Sequence, residues 1–183
     1  LDGDILLIGG DLIDINGFDM DQLSLFKQIS VPIYFVAGNH EYYLKDAKER
    51  LDQLKSYNIH VLDHQTVSLG DYCMIGVSDH YSNSQKVNYV KQLVDGEKFN
   101  IACIHKPKIW TEINEDIDLM VSGHTHNGQM FPMNLLVKLQ FPYSYGHYQH
   151  KDAHLIVSSG AGTWGPPMRF GSWNEIVSIK LKA

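Results

Sequence analysis

The 183-residue sequence is poor in cysteine, poor in positive charge and free of long apolar runs. Its two cysteines, Cys73 and Cys103, each sit inside a short apolar segment, Tyr72–Val77 and Ile101–Ile104. Neither has the close cysteine spacing of a zinc site, and both read as buried, reduced thiols, not a disulfide. Fifteen Lys and Arg stand against 21 Asp and Glu, for a formal net charge of −6. A broad basic face for nucleic-acid backbones is therefore not expected, since such binding rests on clustered cations. A small phosphorylated substrate remains open, because a bound metal can reverse the local field. No stretch is long and apolar enough to cross a bilayer as a helix, and no secretory leader pattern is visible. Internal repeats, low-complexity tracts and linkers are absent. The chain starts without Met and is apolar almost at once, so its upstream part is expected to lie outside it.

What is present is ordinary globular composition, 44% hydrophobic and 20% charged, enough for one domain over residues 1–183. Short apolar runs alternate with longer amphipathic segments. Ile5–Ile8, Ile33–Val36, Tyr72–Val77, Ile101–Ile104, Ile117–Val121, His154–Val157 and Ile176–Leu181 are predicted strands from their length, β-branched content and Gly or Pro flanks. Asp19–Ile29, Leu44–Tyr57 and Ser84–Val94 are predicted helices, each with one apolar face. The alternation predicts an α/β layered domain.

The chemistry lies just past the strands. Ile5–Ile8 leads to Gly10 and Asp11, Ile33–Val36 to Gly38-Asn39-His40, Ile101–Ile104 to His105, and Ile117–Val121 to Gly123-His124-Thr125-His126. Carboxyl ends of strands in an α/β sheet gather on one rim, where ligands bind. Taken singly, Asp11 and Asn39 are ordinary turn or cap residues and each His an ordinary structural one. The same strand-then-ligand arrangement four times in one chain is not ordinary. The set is mixed oxygen and nitrogen without sulfur, which suits manganese, iron or zinc. A bridging carboxylate with several imidazoles is how a two-metal hydrolytic site is assembled.

Gly10-Asp11-Leu-Ile-Asp14, Gly38-Asn39-His40-Glu41, His105 and Gly123-His124-Thr-His126 occur in the order of the calcineurin-like metallophosphoesterase signature, which this chain resembles over nearly its whole length. The stretches Gly123–Gln129 and Gly162–Arg169 further resemble the bacterial YaeI and YkuE type of phosphodiesterase. The resemblance implies a four-layer α/β/β/α sandwich lacking its first strand and helix. It also implies two divalent ions, Mn, Fe or Zn, and attack on a phosphate ester by metal-activated hydroxide. Asp11 would bridge the ions. Asn39, His105 and His124 would complete the second site, and His126 would ligate the first. His40 would face the substrate as the proton donor to the leaving oxygen, a task suited to the side chain that changes charge near neutral pH. Asp14 and Glu41 would orient imidazoles, or be solvated turn carboxylates. The family opens with an Asp-x-His block that also ligates the first metal. No such block stands ahead of Asp11, and Asp2 and Asp4 sit too close to that strand to replace it. Site one keeps Asp11 and His126, so this chain is expected to hold one ion where the parent holds two, and to be a truncation.

Phe131–Tyr143 is apolar and aromatic. It reads either as a lid or lipid-facing surface beside the site or as a short core-packing helix between two prolines. Trp164 and Arg169 either line the cleft, Arg169 on phosphate, or belong to a packing loop. The substrate expected is a phosphorylated small molecule or a lipid-linked one, with peripheral membrane association open and a cytoplasmic or membrane-associated location. The competing functions are a metal-binding domain that does not catalyse and a nuclease of the same superfamily, the latter disfavoured by the acidic balance.

Overall fold

The computed structural model describes residues 3–182; Asp2, considered above, lies outside them. The strands are β1 (Leu6–Ile8), β2 (Ile33–Phe35), β3 (Ile59–Val61), β4 (Gln65–Leu69), β5 (Tyr72–Val77), β6 (Phe99–Ile104), β7 (Leu119–Ser122), β8 (Gly146–His150) and β9 (Ala153–Val157). The α-helices are α1 (Ala47–Leu54), α2 (Asn83–Leu93), α3 (Trp110–Ile113) and α4 (Met133–Gln140). One sheet is β1-β2-β3, parallel throughout. The other runs β4-β5-β6-β7-β9-β8, with a parallel centre and an antiparallel strand at each edge.

Alternation along the strands sets the layers. In and just after β2, Ile33, Phe35 and Ala37 join one core with Leu23, Leu54 and Tyr57. Tyr34 and Val36 join another with Met74 and Cys103 of the larger sheet. That is the period-two geometry of a strand covered on both faces. In β5, Met74 faces this shared core, while Cys73, Ile75 and Val77 face a third core with Val87 and Val90 of α2 and Trp110 and Ile113 of α3. The layers are therefore helix, sheet, sheet, helix: an α/β/β/α sandwich. Both cysteines are buried and unbridged, and burial pushes the Cys103 thiol up to about 12.

Local chemistry explains most boundaries. Asp19 caps a 3-10 helix over Met20–Gln28 by accepting the Asp21 N–H at 3.0 Å. Ser82 and Gln85 form a reciprocal capping box at the start of α2, satisfying two otherwise orphan donors. The segment Leu44–Tyr57, predicted as one helix, is instead α1 followed by a 3-10 turn at Lys55–Tyr57 that ends at left-handed Asn58.

One sequence expectation is overturned, and one of two alternatives is excluded. Ile176–Leu181 forms no strand, and Ile176 is 65% exposed. A strand needs a partner edge for its N–H and C=O groups, and no described strand pairs with this segment. Phe131–Tyr143 does contain a helix, α4, but not a core-packing one: none of its side chains is buried.

One buried charge cluster braces the second sheet against α2. Asp79, which donates its N–H to Ala37 O at 3.0 Å, pairs with Lys86 of α2 and with Lys106 Nζ at 2.5 Å. The Lys86 and Asp79 side chains are only 3% and 2% exposed. Burial raises the Asp79 carboxyl, but the two lysines outweigh it and hold its pKa below the ordinary 3.8. The ion pair therefore contributes fully above that value, and the contribution is lost as pH falls through the lower, folded-state value. Replacing Asp79 with Ala strands the Lys86 charge and is expected to cost about 3–5 kcal/mol in urea denaturation at neutral pH. The difference from wild type should shrink in strong acid; a difference that persists unchanged there would show that the pair is not its source.

Candidate metal centre

Four loops leave the strands on one rim and meet. The carboxylate of Glu41, 1% exposed, accepts the backbone N–H groups of Asp11 (3.0 Å), Ile13 (2.9 Å) and Gly38 (2.8 Å). It thereby ties the loop after β1 to the loop after β2. Burial raises its pKa despite those three donors. The loops approach so closely that side chains are excluded. A Cβ on Gly10, whose φ is +105°, would lie 2.5 Å from His105 Nδ1, and one on Gly38 would lie 2.2 Å from Asp11 Oδ1.

Asp11 sits at the centre. Its Oδ1 accepts the His40 N–H at 3.0 Å, and its Oδ2 lies 3.0 Å from His105 Nε2. Burial alone would raise its carboxyl, but the His105 contact and the His40 N–H bring it down to about 2. His105 is buried at the end of β6. Its Nδ1 lies 2.7 Å from Gly9 O, so the Nδ1 proton is donated there and Nε2 is left facing Asp11 and His124 Nδ1, the latter at 3.2 Å. Fixing one ring nitrogen on a carbonyl is how a protein presents the other to a metal. Burial lowers the His105 pKa, yet Asp11 raises it more, for a net rise. His124 is driven down to about 3, first by burial and then by the charge of His105, and is neutral.

Ligand atoms of Asp11, His105 and His124 all lie within 4.8 Å of one another. Beside them Asn39 Oδ1 is buried with no hydrogen-bond partner. A buried orphan acceptor between Gly38 and His40, whose backbones both crowd or bond the Asp11 carboxylate, fits a divalent cation, which would satisfy it. Asp11, His124 and His126 all adopt left-handed φ, at +57°, +69° and +49°. Each such non-glycine residue costs on the order of 1–3 kcal/mol, strain that concentrates at functional sites.

The other sequence candidates fall as follows. His126 follows β7 but is not one of the close triad; Arg169 holds it, with Nη1 donating to His126 O at 2.9 Å and Nη2 lying 3.4 Å from its Nδ1. Burial and then the Arg169 charge lower the His126 pKa. The same guanidinium donates to the carbonyls of Ser159 (2.6 Å) and Gly162 (2.7 Å), so Arg169 is a loop clamp. Trp164 is exposed, with its N–H and C=O both held by the Gln129 side chain at 2.6 and 2.7 Å. His40 is half-buried, its ring 5.5 Å from that of Tyr43. Asp14 is exposed and apart from the triad, and Glu41 binds backbone, not an imidazole. The Asp152-Ala153-His154 sequence matches Asp-x-His in letters only: it opens β9, at the end remote from the ligand loops. Sequence reasoning missed Gln129, Asp79 and Lys106; the last follows His105 directly, and that position was the available signal.

Residues 1–128 match the family described as calcineurin-like phosphoesterase. The chain is 35% identical to an uncharacterized metallophosphoesterase of Helicobacter pylori, over 97% of this chain and 51% of that protein. It is 34% identical to one of Aquifex aeolicus, over 98% of this chain and 73% of that protein. It is 32% identical to a Bos taurus transmembrane protein with metallophosphoesterase domain, over 100% of this chain and 47% of that protein. The chain thus spans about half the length of several curated relatives it matches. A crystal structure of a provisionally assigned 5'-nucleotidase from Staphylococcus aureus with alpha-ketoglutarate superposes with a TM-score of 0.56 at 16% identity. It covers 86% of this chain and 40% of that one, a likeness of fold.

A methyl group at position 38 would displace the Asp11 carboxylate. Gly38→Ala is therefore expected to lower manganese affinity by about 10–100-fold, measured by titration calorimetry. A Gly96→Ala control, at a turn with open space around it and no left-handed φ, should keep the wild-type affinity.

Proposed function

The chain belongs to the calcineurin-like phosphoesterase family, and from that premise we propose that it forms the greater part of a two-metal centre that hydrolyses phosphodiesters. The observation that carries the reading is the triad of Asp11, His105 and His124 beside the orphan Asn39 oxygen. Asp11, Asn39, His105 and His124 would hold one divalent ion, and Asp11 with His126 would contribute to a second; the oxygen and nitrogen donor set suits Mn, Fe or Zn. When bound, such ions supply Lewis acidity and water activation.

The chain's own residues do the rest. His105 is locked by Gly9 O and keeps its free nitrogen on the site. Asp11 is ionised and anchored by the His40 N–H, so it would offer a charged carboxylate to the ions. Lys106, held on Asp79 beside His105, adds fixed positive charge that favours an anionic phosphoryl group. His40, carried on the loop that bears Asn39, delivers a proton to the departing oxygen. A leaving alkoxide needs that proton, and the preference for a diester rests on the resemblance of Gly123–Gln129 and Gly162–Arg169 to the phosphodiesterase type.

The test is manganese-dependent hydrolysis of bis(p-nitrophenyl) phosphate by the protein at its full encoded length. Asp11→Asn is expected to abolish turnover. His40→Ala is expected to lower kcat by about 10²–10⁴-fold for an alkyl leaving group and by much less for p-nitrophenolate, which departs unprotonated. Equal losses on both substrates would remove His40 from the proton-donor role. Metal uptake without turnover on any diester would leave a binding domain in place of the hydrolase.

A further inference from the structure

The loop after β5 reaches the same rim as the ligand loops. Asp79 N–H donates to Ala37 O at 3.0 Å, one residue ahead of Gly38. The next residue, His80, packs its ring 4.7 Å from that of Tyr42, in the turn that follows His40. Asp79 also pairs with Lys106, the residue directly after His105. Its carboxylate therefore lies where the ends of β2, β5 and β6 meet.

The charges at that point do not balance. Both oxygens of Asp79 are taken, Oδ1 by Lys86 and Oδ2 by Lys106 at 2.5 Å. Among the described residues neither lysine pairs with another carboxylate. One carboxylate against two ammonium groups leaves one positive charge in surplus. Lys86, 3% exposed, is sealed in and neutralises Asp79, whereas Lys106, 24% exposed, is in reach of solvent. An ammonium carries three N–H donors, and among the described residues Asp79 is the single acceptor for Lys106 Nζ. Two donors are left for a ligand. After burial and the His105 charge, the Lys106 charge is the next cause of the low His124 pKa, so this ammonium acts on the candidate triad.

A cation fixed beside a divalent-ion site opposes the ion. That repulsion is offset when an anion sits between the two. Arg169, which flanks His126, is engaged by the carbonyls of His126, Ser159 and Gly162. Lys106 has no such commitments beyond Asp79. We propose that Lys106 is the residue that recognises the phosphoryl group, its ammonium, pinned by Asp79, donating to a non-bridging oxygen of a phosphate at the metal centre. The inference rests on the metal-centre part of the phosphoesterase reading and goes beyond it by giving the anion contact to one side chain.

The experiment is titration calorimetry on the protein at its full encoded length, with manganese first and then with inorganic phosphate added to the manganese-loaded protein. Lys106→Gln leaves Asp79 paired with Lys86, so the fold is expected to hold. The variant should bind phosphate about 10–100-fold more weakly, while manganese binds as tightly as to wild type or more tightly. Lys98→Gln, the same charge change at the opposite end of β6, should match wild type for both ligands. Unchanged phosphate affinity in Lys106→Gln would overturn the contact and leave the metal centre standing. Phosphate and manganese affinities that fall together would mark a damaged ligand loop and overturn it as well. No manganese uptake by the wild type would remove the metal centre and the proposal with it. Phosphate binding that needs both manganese and Lys106, without turnover of any diester, would remove the hydrolase and keep the contact.

Discussion

The rim depends on one buried carboxylate. Glu41 offers two oxygens to three backbone N–H groups that come from two different loops. Buried donors without partners would cost on the order of 1–3 kcal/mol each, so the loops are held where Glu41 can reach them. With that bond set in place, Gly10 and Gly38 can touch, Asp11 meets the His40 N–H, and Gly9 O is positioned for His105. Burial and the neighbouring Asp11 charge raise the Glu41 pKa, and three backbone hydrogen bonds offset part of that cost.

The two sheets play different parts in the centre. The smaller sheet delivers the candidate oxygen donors, Asp11 and Asn39, and the larger delivers the candidate histidines, from β6 and β7. The shared core of Tyr34, Val36, Met74 and Cys103 therefore does more than exclude water. It fixes the separation between the oxygen half and the nitrogen half of the site.

The sequence made the candidate triad of Asp11, His105 and His124 legible because each lies beside a strand end in a short, chemically distinctive loop. Strand β5 was readable to the residue, and the other buried strands to within a residue or two, since continuous apolar runs bounded by turn residues are local signals. What escaped was decided by tertiary contact. The edge strands β3, β4 and β8 are short or mostly polar, and they exist because a neighbour offers hydrogen bonds. Ile176–Leu181 has the composition of a strand and no partner to make it one. Glu41 reads in sequence as an imidazole-orienting or a solvated turn carboxylate, yet its three donors come from backbone whose position no sequence pattern reveals. Arg169 was weighed as a phosphate contact because its charge is visible in sequence, whereas the carbonyls it binds are not.

Strand β2 carries a further implication. Its odd-numbered residues Ile33 and Phe35 belong to the helix-side core, and its even-numbered Tyr34 and Val36 to the core between the sheets. The strand then runs directly into Gly38, Asn39 and His40. A single inserted or deleted codon within β2 would exchange the two faces along the displaced part, sending tyrosine into the helix layer and turning Asn39 and His40 away from Asp11. Reading frame can be kept, and every ligand retained, while the centre is lost. Length here is as strictly constrained as residue identity.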